Sequence, residues 1–424
     1  MSFEQRSDFL LKSNKAEKLL SVGIDYFLNI APNILENLKN NRKNSDFDKY
    51  SNTIIKYVDE NDRDMAEFIA NLHYTVYHNN YPYKEMQDSD YILKNFLQKN
   101  QAVVGVYNNK INNKLCGCGI FQLDYENKLA YIRSLMILNE DRDFIDVKKI
   151  FVQHIYEAII KHINLIDKIY GEVRTAHNIV QYLSESIGFV PHAILINKDN
   201  FSDNNELESD ILAITYTKKC LIEKRFNNPK IYFKLKNLYE HFENIWNLSP
   251  ADYDKSEIKI NRNFIKFVFL EYKNIIINKE LDNYSYINYR MIHELYGVTM
   301  EFQVNSITKS AEKIKFKPDR ILKIKSITNY EIFGAFILKL LKLIDTGEIN
   351  YFEFYLPCLD VNLQYISKEL GCSIFGYALA WYKLDNGKFV DCVVIGKSKY
   401  EINETKTHFT QKSKELFELI KPLL

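Results

Sequence analysis

The sequence predicts an α/β protein of the α+β kind, with two domains in tandem, each a mixed, mostly antiparallel sheet flanked by helices. Three observations predict it. Segments with helical and with strand periodicity alternate along the chain. One segment recurs, since HNIVQYLSESIGF at 177–189 aligns without a gap to DVNLQYISKELGC at 360–372 and pairs Gln181 with Gln364, Tyr182 with Tyr365, Ser184 with Ser367 and Gly188 with Gly371. The 424 residues also exceed one ordinary core.

Residues 1–50 carry Phe9, Leu10, Leu19, Leu20, Phe27, Leu28, Ile34 and Leu38 at helical spacing, which predicts a helical N-terminal extension. Thr53 to Val58 reads as a strand. The charged turn Asp59 to Asp64 then offers caps for a helix from Arg63, with Met65, Phe68, Ile69, Leu72 and Val76 on one face. Ala102 to Tyr107, Cys116 to Leu123 and Leu129 to Leu138 are three strands joined by polar loops. Val147 to Ile163 is helical by the recurrence of Ile150, Phe151, Ile155, Ala158, Ile159 and Ile163. A strand at Lys168 to Val173, a helix at Asn178 to Ile187, and strands at Phe189 to Leu195 and Ile211 to Tyr216 complete a domain over 51–219.

The second domain, 220–400, opens with a strand-like Ile231 to Phe233 and a helix. Strand candidates follow at Ser285 to Tyr289, Val298 to Val304 and Arg320 to Ile324. Ile332 to Leu343 repeats the long helix, Tyr351 to Leu356 the strand after it, and Gly376 to Lys383 with Val390 to Ile395 the final pair. Residues 401–424 form a helical tail.

Composition narrows the function. With 56 Lys+Arg against 55 Asp+Glu the formal charge is +1, so bulk charge gives no reason to expect nucleic acid or an acidic membrane as partner. The 13 Gly and 8 Pro exclude a flexible array, and 27 Phe with 30 Tyr supply ample core. Six cysteines, at 116, 118, 220, 358, 372 and 392, lack zinc-ribbon spacing and read as reduced, buried thiols, so no metal is expected. The N-terminus lacks the apolar core of a signal peptide and Ile332 to Ile344 is too short to span a bilayer, which makes a cytoplasmic protein the expectation.

Across residues 52–218 the order strand, helix, three strands, helix, strand, helix, two strands, with Gly188-Phe189-Val190-Pro191 after the short helix, resembles the GNAT superfamily of N-acetyltransferases. The repeat then implies a tandem GNAT-like protein whose second domain is degenerate. The resemblance implies acetyl-CoA or another acyl-CoA as co-substrate, lying in a gap between the fourth and fifth strands. Its pyrophosphate would meet backbone N–H groups at the start of the long helix. The matching positions are Leu138, Asn139, Arg142, Lys148 and Lys149. Both glycines of the family signature are absent, and Asp143 and Asp146 oppose the phosphates, so a solvated, Asp-capped helix start stays open as the other reading.

The family's Asn and Tyr of the helix after the fifth strand correspond here to His177 and Ser184. His177 has a side chain suited to acid–base work near neutral pH, and Tyr182, Ser184 and Glu172 are the other catalytic candidates. Arg133, an Arg inside an apolar strand, is a candidate for a substrate anion, and Tyr77 and Tyr81, with Tyr74, Tyr83, His73 and His78, for the acceptor pocket. The expected activity is acyl-CoA-dependent N-acyl transfer to an amine of a small molecule or peptide, with a homodimer left open. A non-catalytic GNAT-like binding or regulatory protein is the alternative. A transferase using aminoacyl-tRNA is disfavoured by the absence of a basic stripe.

Overall fold

A computed structural model describes residues 22–40, 53–98, 102–109, 114–138, 147–162, 164–201, 206–282, 284, 286–317 and 326–424. These residues form a mixed α/β protein with mostly antiparallel strand pairing. Contacts divide them into two compact units. One holds the described residues up to Val173 with Ile179–Val190 and Leu212–Cys220, and the other Arg174–Asn178, Pro191–Ile211 and Leu221–Leu424.

In the first unit β1 (Thr53–Tyr57), β2 (Ala102–Asn109), β3 (Lys114–Asp124) and β4 (Leu129–Ile137) pair antiparallel in chain order. The helix after β1 starts as Asp59 to Asp64 suggested: the Asp62 carboxylate caps α2 (Arg63–Tyr77) by accepting from the Met65 N–H at 3.1 Å. Helix α3 (Val147–His162) carries the chain over to β5 (Lys168–Arg174), which lies parallel to β4 and next to β7 (Glu208–Tyr216). Of the N-terminal extension, α1 (Ile24–Asn40) is described, and it belongs to this unit. Phe27 meets Tyr156 of α3 edge to face, the Gly23 N–H donates to the Gly188 carbonyl at 3.1 Å, and Asp25 accepts from the Lys218 N–H.

The recurring segment is a capped helix in both copies. In α4 (Ile179–Ser186) the Phe189 N–H returns to the Ser184 carbonyl and Gly188 adopts φ +95°. In the helix at Val361–Glu369 the Cys372 N–H returns to the Ser367 carbonyl and Gly371 adopts φ +107°. Each glycine sits where a side chain would strain the left-handed turn that ends the helix. The shared Gly therefore answers to one backbone device, to which each Ser lends only its main-chain carbonyl.

The second unit begins, in space, with β6 (Val190–Asp199), all ten residues of which are buried. Residues 191–211 thus group with the second unit although they precede position 220. Neighbour by neighbour its sheet runs β6, β15 (Ser373–Lys383), β16 (Phe389–Ser398), β14 (Tyr351–Pro357), β13 (Ser310–Lys317), β12 (Val298–Asn305), β11 (Tyr286–His293) and β10 (Ile275–Leu281). A Cβ on Gly376 would lie 2.1 Å from the His192 carbonyl oxygen, so only glycine lets β15 meet β6 there. Strands β10 to β13 are antiparallel, α7 (Ile327–Asp345) leads to a parallel β14, and α8 (Val361–Glu369) follows. Ahead of them lie β8 (Lys230–Tyr232), paired parallel to β9 (Asp252–Asp254), with α5 (Lys236–Trp246) between them and α6 (Arg262–Lys273) after them. The tail forms α9 (Gln411–Ile420) and docks through Lys368 and Ser373, which hold the carbonyls of Leu423 and Leu424.

Deep in this unit Arg225 is 1% exposed and clamps Asp391 with two hydrogen bonds of 2.8 and 2.5 Å, while Tyr377 and the Ala380 N–H satisfy the same carboxylate. A buried ion pair survives only when its remaining valences are met in this way. Strands β10 and β13 and helix α6 are additions to the sequence reading. The strand expected at Arg320 to Ile324 lies outside the described residues.

Candidate functional site

The parallel pairing of β4 with β5 runs from Leu129/Lys168 to Ile132/Gly171 and stops, although β4 continues to Ile137 and β5 to Arg174. One residue beyond the last pair, β4 is irregular. Its register with β3 passes from Ile120 opposite Arg133 to Cys118 opposite Met136, so that Gly119 faces both Ser134 and Leu135. This is a β-bulge, and Ser134 holds its left-handed position at φ +57°, a place usually given to glycine. The bulge turns Arg133 and Ser134 toward α2, while Leu135 packs on the Ile137 and Ile150 cluster of the α3 side.

On the α2 side the side chains are aromatic. The Arg133 guanidinium lies over Phe96, Tyr83 and Tyr131, 5.6 to 5.8 Å from the ring centres. Tyr131 stacks on Tyr170 of β5 at 4.6 Å, at the point where the two strands still pair. Tyr77 stacks on Tyr81 at 4.4 Å, and Tyr81 meets both Tyr83 and His73 at 5.6 Å. Such π faces attract cations. The substrate candidates Arg133, Tyr77 and Tyr81 therefore come together in one wall.

His73 joins this wall to the bulge. It is fully buried on α2, with Nδ1 2.8 Å from the Ile69 carbonyl and Nε2 2.9 Å from Ser134 Oγ. Burial pushes its pKa down to about 3; the Ile69 carbonyl opposes that shift and the Arg133 charge adds to it. The ring is neutral at pH 7.

The other candidates are more scattered. Glu172 is half-buried on β5, two residues beyond Tyr170 and hence on the same face. Tyr182 is 57% exposed and Ser184 is buried on α4. His177 is exposed and groups with the second unit. The Leu138 N–H donates to the Cys116 carbonyl at 2.8 Å, so this amide is committed to β3 rather than to a phosphate. Lys148 is exposed and Lys149 half-buried in the first turn of α3. Asn139 and Arg142 lie outside the described residues. Among the described residues no cluster of His, Cys, Asp and Glu could hold a metal ion, and no helix is long and apolar enough to cross a membrane. All six cysteines are buried and free of disulfides.

No family model matches the chain, and no curated protein matches it. Among solved structures, spermidine N-acetyltransferase from Vibrio cholerae is similar over 41% of this chain and 98% of its own, at 18% identity and a TM-score of 0.32. The same enzyme in complex with CoA and spermine is similar over 40% of this chain and 98% of its own, at 17% identity and a TM-score of 0.33. Ribosomal-protein-S5-alanine acetyltransferase from Vibrio fischeri is similar over 39% of this chain and 94% of its own, at 15% identity and a TM-score of 0.32. Likeness at this level says nothing of chemistry.

The sequence reading passed over Ser134, Phe96, Tyr131 and Tyr170. A polar Arg-Ser pair inside the apolar strand was the available signal for Ser134. Its left-handed backbone has no signature in a residue type that rarely adopts it.

The second unit has a cleft of about 150 Å³ between β9, the first turn of α7 and the start of α8, lined by Asp254, Glu257, Asp360, Tyr330, Asn362 and Lys230 among others. The Tyr330 hydroxyl donates to Asp360 at 2.5 Å, and burial ahead of that bond pushes its pKa up to about 12. Three carboxylates here repel a phosphate. The Ser326 hydroxyl already caps α7 by accepting from the Asn329 N–H.

Proposed function

We propose that the first unit is an acyl-CoA-dependent N-acyltransferase that acts on an amine of a small molecule or peptide. The observation that carries this reading is the parting of β4 from β5 after Ile132 and Gly171, beside the Ser134 bulge and the aromatic wall. The amide-bearing arm of an acyl-CoA, with its N–H and C=O groups, fits such an opening as a strand would. Lys148 and Lys149, with Arg142 ahead of them, are the groups for its phosphates, at a helix start whose dipole also favours an anion.

The amine enters along Tyr77, Tyr81 and Tyr83, and its lone pair attacks the acyl carbon as the C–S bond breaks. Glu172, two residues beyond Tyr170 on β5, is the candidate to take the proton released by the nitrogen. Tyr182 and Ser184, which belong to the same unit, are candidates to return a proton to the leaving thiolate. Arg133 orients an anionic group of the acceptor.

We read the second unit as a degenerate copy. Its strands follow the same order, four antiparallel, a crossover helix, a parallel fifth, then the later of the two closing strands, and its acidic cleft argues against CoA.

The test is a thermal-shift titration with acetyl-CoA and CoA, in which ligand at 100 times its Kd adds about 2.7 kcal/mol. Lys148→Ala with Lys149→Ala is expected to weaken binding about tenfold, and Arg142→Ala to weaken it as well. Thiol release with spermidine or an alanine-led peptide, used as probes, would establish turnover. A chain that shifts with no acyl-CoA is a GNAT-like binding protein instead.

A further inference from the structure

The hydrogen-bond inventory at the bulge fixes the state of one hydroxyl. The Ile69 carbonyl can only accept, so the hydrogen of the His73 ring is on Nδ1. A neutral ring protonated at Nδ1 has a bare lone pair on Nε2. The 2.9 Å contact to Ser134 Oγ is therefore a bond in which the hydroxyl donates and the imidazole accepts. With its single hydrogen spent, Ser134 Oγ has only lone pairs to offer. It lies half-buried on the α2 side, two residues past Ile132, where the pairing of β4 with β5 ends.

We propose that Ser134 is the specificity-determining contact for the acyl acceptor, that it takes the N–H of the incoming amine, and that His73 is the positioning residue that denies Ser134 the alternative role of donor. The inference rests on the acyltransferase reading and deepens it. The amine nitrogen is steered to the gap by a group that accepts from N–H while leaving the nitrogen lone pair for the acyl carbon. An acceptor presenting only an ether or carboxylate oxygen at that point finds no donor on Ser134. By the same reasoning Ser134 has no proton to give the leaving thiolate.

The arrangement is stable to pH, since His73 stays neutral far below its ordinary titration range. His73 faces the Ser134 hydroxyl, the Tyr81 ring and the Arg133 charge, and burial first, with that charge added to it, holds the ring unprotonated.

Four proteins test it: wild type, Ser134→Gly, which suits the left-handed backbone and deletes the hydroxyl, His73→Gln, whose amide oxygen still accepts, and His73→Leu, which does not. Affinity for CoA and, separately, for spermidine and an alanine-led tripeptide is measured by calorimetry. Ser134→Gly and His73→Leu are expected to lose about three- to tenfold in affinity for the amine probe, as one hydrogen bond predicts, with His73→Gln near wild type and CoA affinity unchanged in all four. Undiminished amine binding in Ser134→Gly overturns the proposal, as does a wild-type chain that binds neither amine. A wild-type chain that binds an amine through Ser134 but no CoA would support the contact and sink the acyltransferase reading instead.

Discussion

His73 shows how one buried side chain ties stability to pH. Its folded pKa of about 3 lies below the ordinary 6.5, so the unfolded chain takes up the proton first as pH falls. Its contribution is whole above pH 6.5 and is lost progressively toward pH 3. Between pH 7 and pH 5 the loss is about 2 kcal/mol. Urea unfolding of wild type and His73→Gln at the two pH values should show the variant losing that much less. Equal losses would mean that the buried ring accepts its proton near the ordinary value. Arg133 works in the same direction, because its charge raises the cost of a second cation beside it.

Elements differ in how loudly the sequence announces them. The helix at Arg63–Tyr77 and the long helix of each unit carry apolar residues at helical spacing, and the reading located them to within a few residues. Helix α6 buries only Phe264 and Val268 of its twelve residues and leaves Phe267, Phe269 and Leu270 about half exposed, so its apolar pattern has no clean face. Strand β13 alternates charge with apolar residues as Lys313, Ile314, Lys315, Phe316 and Lys317, which resembles a polar loop until its neighbours are known. At the site, the tyrosines and Arg133 were legible as chemistry, whereas the bulge that gathers them is a matter of register between strands and is written in no single segment. The paired helix caps are the element most open to test. Gly371→Ala meets no neighbour and should cost about 1–2 kcal/mol for the left-handed turn. Gly188→Ala adds a 3.0 Å encounter with the backbone of Gly23 and should cost about 1 kcal/mol more. Thermal denaturation of the two variants ranks them, and an equal fall in Tm would mean that α1 yields to the added methyl.

At the scale of the whole chain, position in sequence and position in space disagree. Repeat logic places a boundary near residue 220, and yet β6 and the segment up to Ile211 group with the second unit. Cutting the chain there should give two poor proteins. The fragment 1–220 would carry the ten buried residues of β6 without the strand they face, and the fragment 221–424 would leave β15 bare where Gly376 meets Ala193. An exposed apolar edge of this kind aggregates. Circular dichroism and soluble yield of both fragments against the whole chain decide it, and two cooperative, soluble fragments would show that β6 is dispensable to each.

The same strand sets a schedule on the ribosome. β6 is made about 170 residues before β15, and at roughly 5–20 residues per second the two strands are separated by on the order of 10–35 s of synthesis. Slower synthesis lengthens the time in which β6 has no β15 to pair with, and the yield of folded chain is expected to fall with it.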